Sequence, residues 1–283
     1  MTQKTQRAPK TQRGEGWSSP SSPSSPSSPS SPTWFLWIDS PRPGWSNMAI
    51  DQTLLERAEA GERWLRLYGW QPFCLSFGRH EPAARRYDAE RITALGLDVV
   101  RRPTGGRAVW HGREVTYTIA CPGGLGSLRE SYLEIHQMLR DALRSLGVPA
   151  ELAPSRPGVG VAAGACFAQP AGGEIMVGGR KVVGSAQLRE NGAILQHGSI
   201  LLGNDQAMVG AVTRGPVPAD MASPLDNLLR SSLADRDVIE AVSRAAARRW
   251  HGTWMNVDSV DQIVEDSIRH ALRFRSSAWT WSA

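Results

Sequence analysis

Residues 101–111, RRPTGGRAVWH, combine charged donors with small residues in a pattern that could bind an anion or a polarised carbonyl group. Arg101 and Arg102 carry permanently charged guanidinium groups, which suit carboxylate or phosphate. Gly105 and Gly106 lack a Cβ, so their backbone N–H groups can approach a ligand closely. Most glycine pairs form only a tight turn, and this segment by itself does not establish a site.

A second segment, residues 178–187 (GGRKVVGSAQ), places Lys181 between a Gly-Gly pair and a Gly-Ser pair. A lysine on a short strand among small residues can point its ammonium group at a carbonyl or carboxylate oxygen. A solvated position in a hairpin is the more common place for a lysine. The two segments together, in this order and at this spacing, are more specific than either one alone.

The composition is that of an ordinary globular protein. The chain has 283 residues, of which 41% are hydrophobic and 21% charged, enough for one large domain. Its formal net charge of +5 favours acidic partners through long-range steering. Because no run of about 18 apolar residues occurs, we expect no membrane span. The three cysteines, Cys74, Cys121 and Cys166, form no CxxC pair, so we expect neither a disulfide framework nor a zinc site, and a reducing, cytoplasmic location.

The first part of the chain has a different composition. Ser-Ser-Pro repeats occupy residues 18–32 and cannot supply a hydrophobic core. We therefore expect residues 1–33 to be a disordered Ser/Pro-rich tail and residues 34–283 to form a single domain with a helical C-terminal end. The start of this tail is basic but has no amphipathic face, so a transit peptide is not indicated.

Apolar patterns of period 2 and of period 3.6 alternate along the remaining chain. The predicted strands are residues 34–38, 64–68, 73–77, 97–100, 114–120, 148–152, 174–177, 181–188 and 193–202. The predicted helices are one that begins near Met48 with Ser46 or Asn47 as its cap and ends at Gly61, followed by 131–146, 237–250 and 260–273. These elements predict an α/β fold, more strictly α+β, in which mixed β-sheets are flanked by helices.

Five phrases of the sequence carry a family resemblance. They are RRPTGGRAVWH, EVTYT, the Cys-Phe pair at 166–167, GGRKVVGSAQ and ILQHGSILL. In this order they resemble the catalytic domain of the biotin/lipoate ligase and octanoyltransferase superfamily. Within it they are most similar to the cysteine-dependent octanoyltransferase branch related to lipoate–protein ligase A. The resemblance extends from about Trp34 to Leu202.

The resemblance implies an acyl transfer. Cys166 would take an octanoyl group from octanoyl acyl carrier protein as a thioester, and a lysine of a lipoyl domain would then accept it. The acceptor would be a 2-oxoacid dehydrogenase or glycine cleavage protein H. Lys181 would be the second catalytic residue, since a nearby ammonium group lowers the pKa of a thiol. The substrate-binding residues implied are Arg101, Arg102, Gly105, Gly106, Arg107, His111, Gly184, Ser185, Gln187 and His197.

Two other functions remain open at this point. An ATP-dependent lipoate–protein ligase would use the same glycines for an acyl-adenylate, and would need ATP and Mg, whereas the transferase needs no cofactor and no metal. The ligases usually have a third glycine where this chain has Arg107, and they need no cysteine where Cys166 stands. A non-catalytic protein that binds lipoyl domains is the third possibility. We expect a monomer, with no nucleic acid and no membrane as partner.

Overall fold

The computed structural model describes Met1 and residues 31–123, 126–154, 173–203, 206–215, 223–229 and 232–282. The chain divides into Met1–Ser30 and Ser31–Ala283, and the elements below belong to the second unit. Because residues 2–30 lie outside the described ranges, the expected disorder of the tail stays a prediction there, whereas Thr33, the last residue of the expected tail, belongs to the first strand. Among the described helices, none is both long enough and apolar enough to cross a membrane.

The strands of the described residues form one large sheet and two small ones. Their bounds are β1 Thr33–Ile38, β2 Trp64–Tyr68, β3 Cys74–Phe77, β4 Asp98–Arg101, β5 Val109–His111, β6 Glu114–Pro122, β7 Glu151–Leu152, β8 Ile175–Val177, β9 Arg180–Lys181, β10 Val183–Glu190, β11 Ala193–Leu201 and β12 Thr253–Asn256. The six-stranded sheet has the order β10-β11-β6-β2-β1-β12, and the three-stranded sheets have the orders β4-β3-β5 and β7-β8-β9. In the large sheet β1 runs parallel to β2 and β12, and the other neighbours are antiparallel.

Helices cover both faces of the large sheet. Their bounds are α1 Gly44–Glu59, α2 Ala83–Arg86, α3 Ala89–Ala94, α4 Leu128–Ser145, α5 Ala207–Val212, α6 Leu225–Leu229, α7 Asp235–Arg249, α8 Asp261–Phe274 and α9 Ser277–Thr280. Side chains alternate along β6, so Tyr117 and Ile119 join the core beneath α4 and α7, while Ala120 joins the core beneath α1. The mixed sheets and flanking helices confirm the predicted fold class.

The predicted strand 181–188 is in fact two strands. Arg180–Lys181 belongs to the small sheet as β9, and Val183–Glu190 belongs to the large sheet as β10. At the junction the N–H of Val182 donates to the carbonyl of Ile175 at 3.1 Å, and its carbonyl accepts from Leu201 at 3.0 Å. The chain therefore passes from one sheet to the other at a single residue, which an unbroken apolar pattern cannot reveal.

The first helix begins earlier in the chain than the sequence predicts. Helix α1 begins at Gly44, after Pro43, and no side chain caps it. Asn47 lies inside the helix, where its Nδ2 donates to the carbonyl oxygens of Arg42 at 3.2 Å and Gly69 at 3.1 Å. The residue that resembles a cap in the sequence thus links the helix to the segment just before it and to the loop that contains Gly69.

Arg66 is buried in the middle of β2 and joins β1, β2 and α1. Its Nη2 donates to Asp39 Oδ2 at 2.7 Å and to Asn47 Oδ1 at 2.7 Å, and its Nη1 donates to Asp51 Oδ1 at 2.9 Å. Arg66 and Asp51 are both 0% exposed. A buried charge of this kind is tolerated because each partner compensates the desolvation of the other.

We predict that Arg66→Met lowers the free energy of unfolding by about 3–5 kcal/mol, because it leaves the buried Asp51 carboxylate without its guanidinium partner, whereas Asp39 keeps Arg42. Equilibrium denaturation in urea would measure the change. Arg244→Met is a matched control, since Arg244 and its partner Glu240 are 59% and 61% exposed and such pairs contribute about 0–1 kcal/mol. Equal midpoints for the two variants would contradict the prediction.

Candidate active site

Arg102 supports the loop formed by residues 104–107, which we call the site loop. Its Nη2 donates to the carbonyl oxygens of Gly105 at 3.1 Å and Arg107 at 2.8 Å. Its Nη1 donates to the carbonyl and the Oγ of Ser76 at 2.9 and 2.5 Å. Arg102 is only 4% exposed, so it holds the carbonyl groups of the loop from inside the protein.

The site loop is pressed against the Gly78–Arg79 segment. A Cβ placed on Gly78 would lie 1.8 Å from the carbonyl oxygen of Gly106, so only glycine fits there. Gly106 has a φ of 92°, which favours glycine at that position too. The N–H of Arg79 donates to the carbonyl of Thr104 at 2.8 Å.

The loop carbonyl groups of Thr104, Gly105 and Arg107 thus point into the protein. Within the described part of the chain, the N–H groups of Gly105 and Gly106 make no hydrogen bond. Gly105 is half-buried and Gly106 is exposed. The loop therefore presents backbone donors at the surface, as an oxyanion or anion site requires.

Arg101 does not lie at the ligand side of this loop, contrary to the predicted role in substrate binding. All the nitrogens of its guanidinium group donate to backbone carbonyl groups. These belong to Gly78, Arg79, Glu81, Trp279, Thr280 and Ser282, at 2.7–3.1 Å. The residue is 0% exposed and fixes the C-terminal segment against the Gly78–Glu81 turn. Its neighbour Arg102, the first residue after β4, donates instead to Ser76, Gly105 and Arg107.

His111 supports the loop indirectly. Its Nε2 lies 2.6 Å from Ser76 Oγ, and its Nδ1 lies 2.8 Å from Glu114 Oε1. The ring stacks on Trp70 with centroids 3.9 Å apart. Burial lowers the pKa of His111, against the opposing effect of Glu114, so the ring is neutral at pH 7. His111 therefore fixes Ser76, which in turn accepts a hydrogen bond from Arg102.

The predicted residues of β10 and β11 lie on two faces of the large sheet. Ser185 Oγ is 2.9 Å from His136 Nε2, and Gln187 Nε2 is 3.0 Å from Ser131 Oγ, so both contact α4. His197 contacts Thr104 instead, on the side of α1. Gly184 passes close to β11, since a Cβ on Gly198 would lie 2.5 Å from the Gly184 carbonyl oxygen. Because the side-chain period of a strand is 2, adjacent motif residues cannot share a face.

Lys181 is buried and paired. Its Nζ lies 2.5 Å from Glu174 Oε1, and Lys181 is 3% exposed. Burial of His136 lowers its pKa to about 3, and the positive charge of nearby Lys181 contributes to this decrease. Gly173 and Glu174 are joined to Ala153 by backbone hydrogen bonds of 2.8 and 2.7 Å. Lys181 therefore lies beside Glu174, which with Gly173 follows residues 155–172 in the sequence.

Cys166, the predicted nucleophile, lies outside the described residues, and so does the Cys-Phe pair. The other two cysteines have the expected character of small buried hydrophobes, at 0% and 1% exposure for Cys74 and Cys121. Burial raises the pKa of the Cys74 thiol well above its ordinary value, and Asp98 adds to the effect. Burial also raises the pKa of the Cys121 thiol to about 12. Neither thiol is suited to nucleophilic catalysis at neutral pH.

Sequence reasoning missed Glu174, Asp51, Thr104 and Ser76. Glu174 could have been found, because the predicted hairpin turn at 178–179 pairs Met176 with Lys181 and so brings Glu174 to the same face. The other three had no comparable local signal. Their histidine partners, His111 and His197, are 35 to 146 residues away in the sequence, and only the packing of α1, β3 and the site loop joins them.

We predict that iodoacetamide at pH 8 does not modify Cys74 or Cys121 in the folded Cys166→Ala variant, because burial keeps both as thiols. Peptide mass spectrometry would locate the adducts. The same variant unfolded in guanidinium chloride is the control and should be modified at both positions. Rapid labelling of either residue in the folded chain would disagree with the structure.

We also predict that Arg101→Lys accelerates hydrogen–deuterium exchange in residues 276–282 and 78–81 together, because lysine cannot reproduce the planar set of donors. The expected loss of stability is about 1–3 kcal/mol, typical of buried carbonyl groups left unsatisfied. Arg269→Lys, on the exposed side of α8, is the control. Exchange that changes in one segment but not in the other would argue against a shared anchor.

Comparison with known proteins identifies the family. Residues 43–247 match the lipoyl protein ligase A/B catalytic domain. The octanoyltransferase LipM of Kyrpidia tusciae is 46% identical over 181 residues, which cover 60% of this chain and 66% of that protein. The octanoyltransferase LipM of Exiguobacterium sibiricum is 39% identical over 261 residues, which cover 83% of this chain and 93% of that protein. The match thus spans just under two thirds of the first relative and most of the second.

Solved structures show the same fold. A lipoate-protein ligase A bound with ATP superposes with a TM-score of 0.75 at 18% identity, over 88% of this chain and 98% of that chain. A bi-partite lipoate protein ligase from Thermoplasma acidophilum, solved in a study with its E2 lipoyl domain, gives 0.72 at 17% identity over 89% and 96%. With the domain match over residues 43–247 and relatives at 39–46% identity, this chain belongs to the lipoyl protein ligase A/B catalytic domain family.

Proposed function

We propose that this chain is an octanoyltransferase that moves an octanoyl group from acyl carrier protein, through a thioester on Cys166, to a lysine of a lipoyl domain. The observation that carries the proposal is the identity of 39–46% to relatives named octanoyltransferase LipM. The open backbone donors of the site loop add a place for the reacting carbonyl oxygen. The net charge of the chain is +5, which favours association with acidic carrier domains.

In the first step the Cys166 thiolate attacks the thioester carbonyl of the octanoyl carrier. A new sulfur–carbon bond forms, and the bond to the carrier thiol breaks. The carrier leaves as a thiolate and takes up a proton. A free thiol is only a few per cent ionised at pH 7, so the step needs a cation near Cys166. Lys181 supplies this charge in the proposal, because Cys166 lies seven residues before Gly173, whose neighbour Glu174 binds the Lys181 ammonium group.

In the second step the neutral amine of the lipoyl lysine attacks the octanoyl-enzyme. An amide bond forms, the sulfur–carbon bond to Cys166 breaks, and the amine loses a proton to the released thiolate or to solvent. Both steps place negative charge on the carbonyl oxygen. Donors that are fixed before the reaction stabilise that charge best, and the N–H groups of Gly105 and Gly106 take this role in the proposal.

We predict that the full chain mixed with octanoyl acyl carrier protein, in the absence of ATP, gains the mass of one octanoyl group. Adding a lipoyl domain should remove this group from the enzyme and transfer it to the domain. Cys166→Ala should abolish the adduct, and Lys181→Met should slow its formation about 100-fold or more by raising the pKa of the thiol. Intact-protein mass spectrometry measures each species.

Cys121→Ala is the matched control and should form the adduct at the normal rate. An adduct that persists in Cys166→Ala would overturn the cysteine mechanism. If no adduct forms without ATP, but the lipoyl domain is modified once lipoate, ATP and Mg are supplied, the chain is a lipoate–protein ligase. If the lipoyl domain binds but is modified under neither condition, the chain is a non-catalytic binding protein.

A further inference from the structure

A chain of buried hydrogen bonds connects helix α1 to the site loop through strand β11. Asp51 Oδ2 lies 2.9 Å from His197 Nδ1, and His197 Nε2 lies 2.6 Å from Thr104 Oγ1. Asp51 and Thr104 are 0% exposed, and His197 is 4% exposed. The three residues come from three separate elements, and the last of them directly precedes Gly105.

The direction of these hydrogen bonds follows from the charge of Asp51. Burial by itself would raise the pKa of Asp51, but the hydrogen bond from His197 and the charge of Arg66 bring it below the ordinary value. Asp51 is therefore a carboxylate and can only accept, so His197 Nδ1 carries a proton and donates it. The other ring nitrogen, Nε2, lies 2.6 Å from the hydroxyl oxygen of Thr104 and forms the second hydrogen bond.

The site loop depends on this contact. Arg102 and the N–H of Arg79 hold its carbonyl groups by hydrogen bonds to the backbone, and the Thr104 side chain adds a separate attachment. The Thr104 side chain attaches the loop to the large sheet. Thr104 is thereby held twice, since its carbonyl, which belongs to the same peptide as the N–H of Gly105, accepts from the N–H of Arg79 at 2.8 Å.

We propose that Asp51, His197 and Thr104 act as a positioning relay, which aims the backbone donors of Gly105 and Gly106 at the reacting carbonyl oxygen. The proposal rests on the proposed acyl transfer. None of the three residues touches the substrate in it. The relay acts through the orientation of the loop, and a displacement of about 1 Å in such donors is enough to cost 100-fold in rate.

A purely structural role is a weaker account of this arrangement. Three polar side chains buried in a row must each be desolvated, and apolar residues of similar volume often stabilise a core as well or better. A buried polar network is useful where it specifies one geometry. This relay ends on the residue next to the only Gly-Gly pair of the site loop.

Substitution of the terminal hydroxyl tests the relay. Thr104→Val keeps the shape and the burial but cannot donate to His197, whereas Thr104→Ser keeps the hydroxyl group. We expect Thr104→Val to lower kcat for octanoyl transfer at least about tenfold with KM changed less than about threefold, and Thr104→Ser to stay within about threefold of the native kcat. Hydrogen–deuterium exchange of residues 103–108 should accelerate in Thr104→Val only.

Thr53→Val is the matched control. Thr53 is equally buried, at 0% exposure, and its Oγ1 donates to Ala49 within α1 at 3.1 Å. This variant should lose as much stability as Thr104→Val but keep the native kcat and the native exchange of residues 103–108. His197→Gln is the second test if Thr104→Val does not fold, since glutamine can still reach Thr104 but loses the bond to Asp51.

The outcomes separate this proposal from the proposed function. If Thr104→Val keeps both the native kcat and the native exchange, or if Thr53→Val matches its losses, the relay is wrong even though the enzyme transfers octanoyl groups. If the native chain transfers no octanoyl group, the proposed function fails. The exchange of residues 103–108 in the full chain then still decides whether Asp51, His197 and Thr104 position the loop.

Discussion

The buried guanidinium group of Arg66 is the interaction on which most of the described structure depends. It joins β1, β2 and α1 through Asp39, Asn47 and Asp51, and it stacks on the ring of Tyr68 at 3.9 Å. Taking such a group out of water costs several kcal/mol, which only well-placed partners offset. The hydrogen bonds and ion pairs of Arg66, together with apolar packing, therefore fix the position of α1 on the large sheet.

Arg66 is also connected to the site loop, through Asp51. The hydrogen bond from His197 and the charge of Arg66 keep the pKa of Asp51 low, so this carboxylate accepts from His197, whose Nε2 lies 2.6 Å from Thr104 Oγ1. A second buried series, Glu114–His111–Ser76, ends on Arg102, which donates to the loop carbonyl groups. Both series hold the loop that carries the Gly-Gly pair. Backbone donors to a developing negative charge must be held in place in this way before the reaction.

Two features that look alike in the sequence serve different ends in the structure. Arg101 and Arg102 are adjacent and both buried, yet one anchors the C-terminal segment and the other supports the site loop. Ser185 and His197 both belong to family motifs, yet they contact helices on opposite faces of the sheet. Ser185 pairs with Gly198, the neighbour of His197, across β10 and β11, so the alternation of side chains places Ser185 and His197 on opposite faces.

The sequence by itself determined the fold class, the principal strands and helices, and the family, because periodicity and motif order are local properties. It also placed Lys181 and the Gly-Gly pair among the residues of interest. Only the tertiary structure decided that Arg101 faces away from the loop, that β9 and β10 belong to different sheets, and that Asp51 and Thr104 meet at His197. Those relations join residues tens to more than a hundred positions apart, and they arise from packing between elements, which no local pattern encodes.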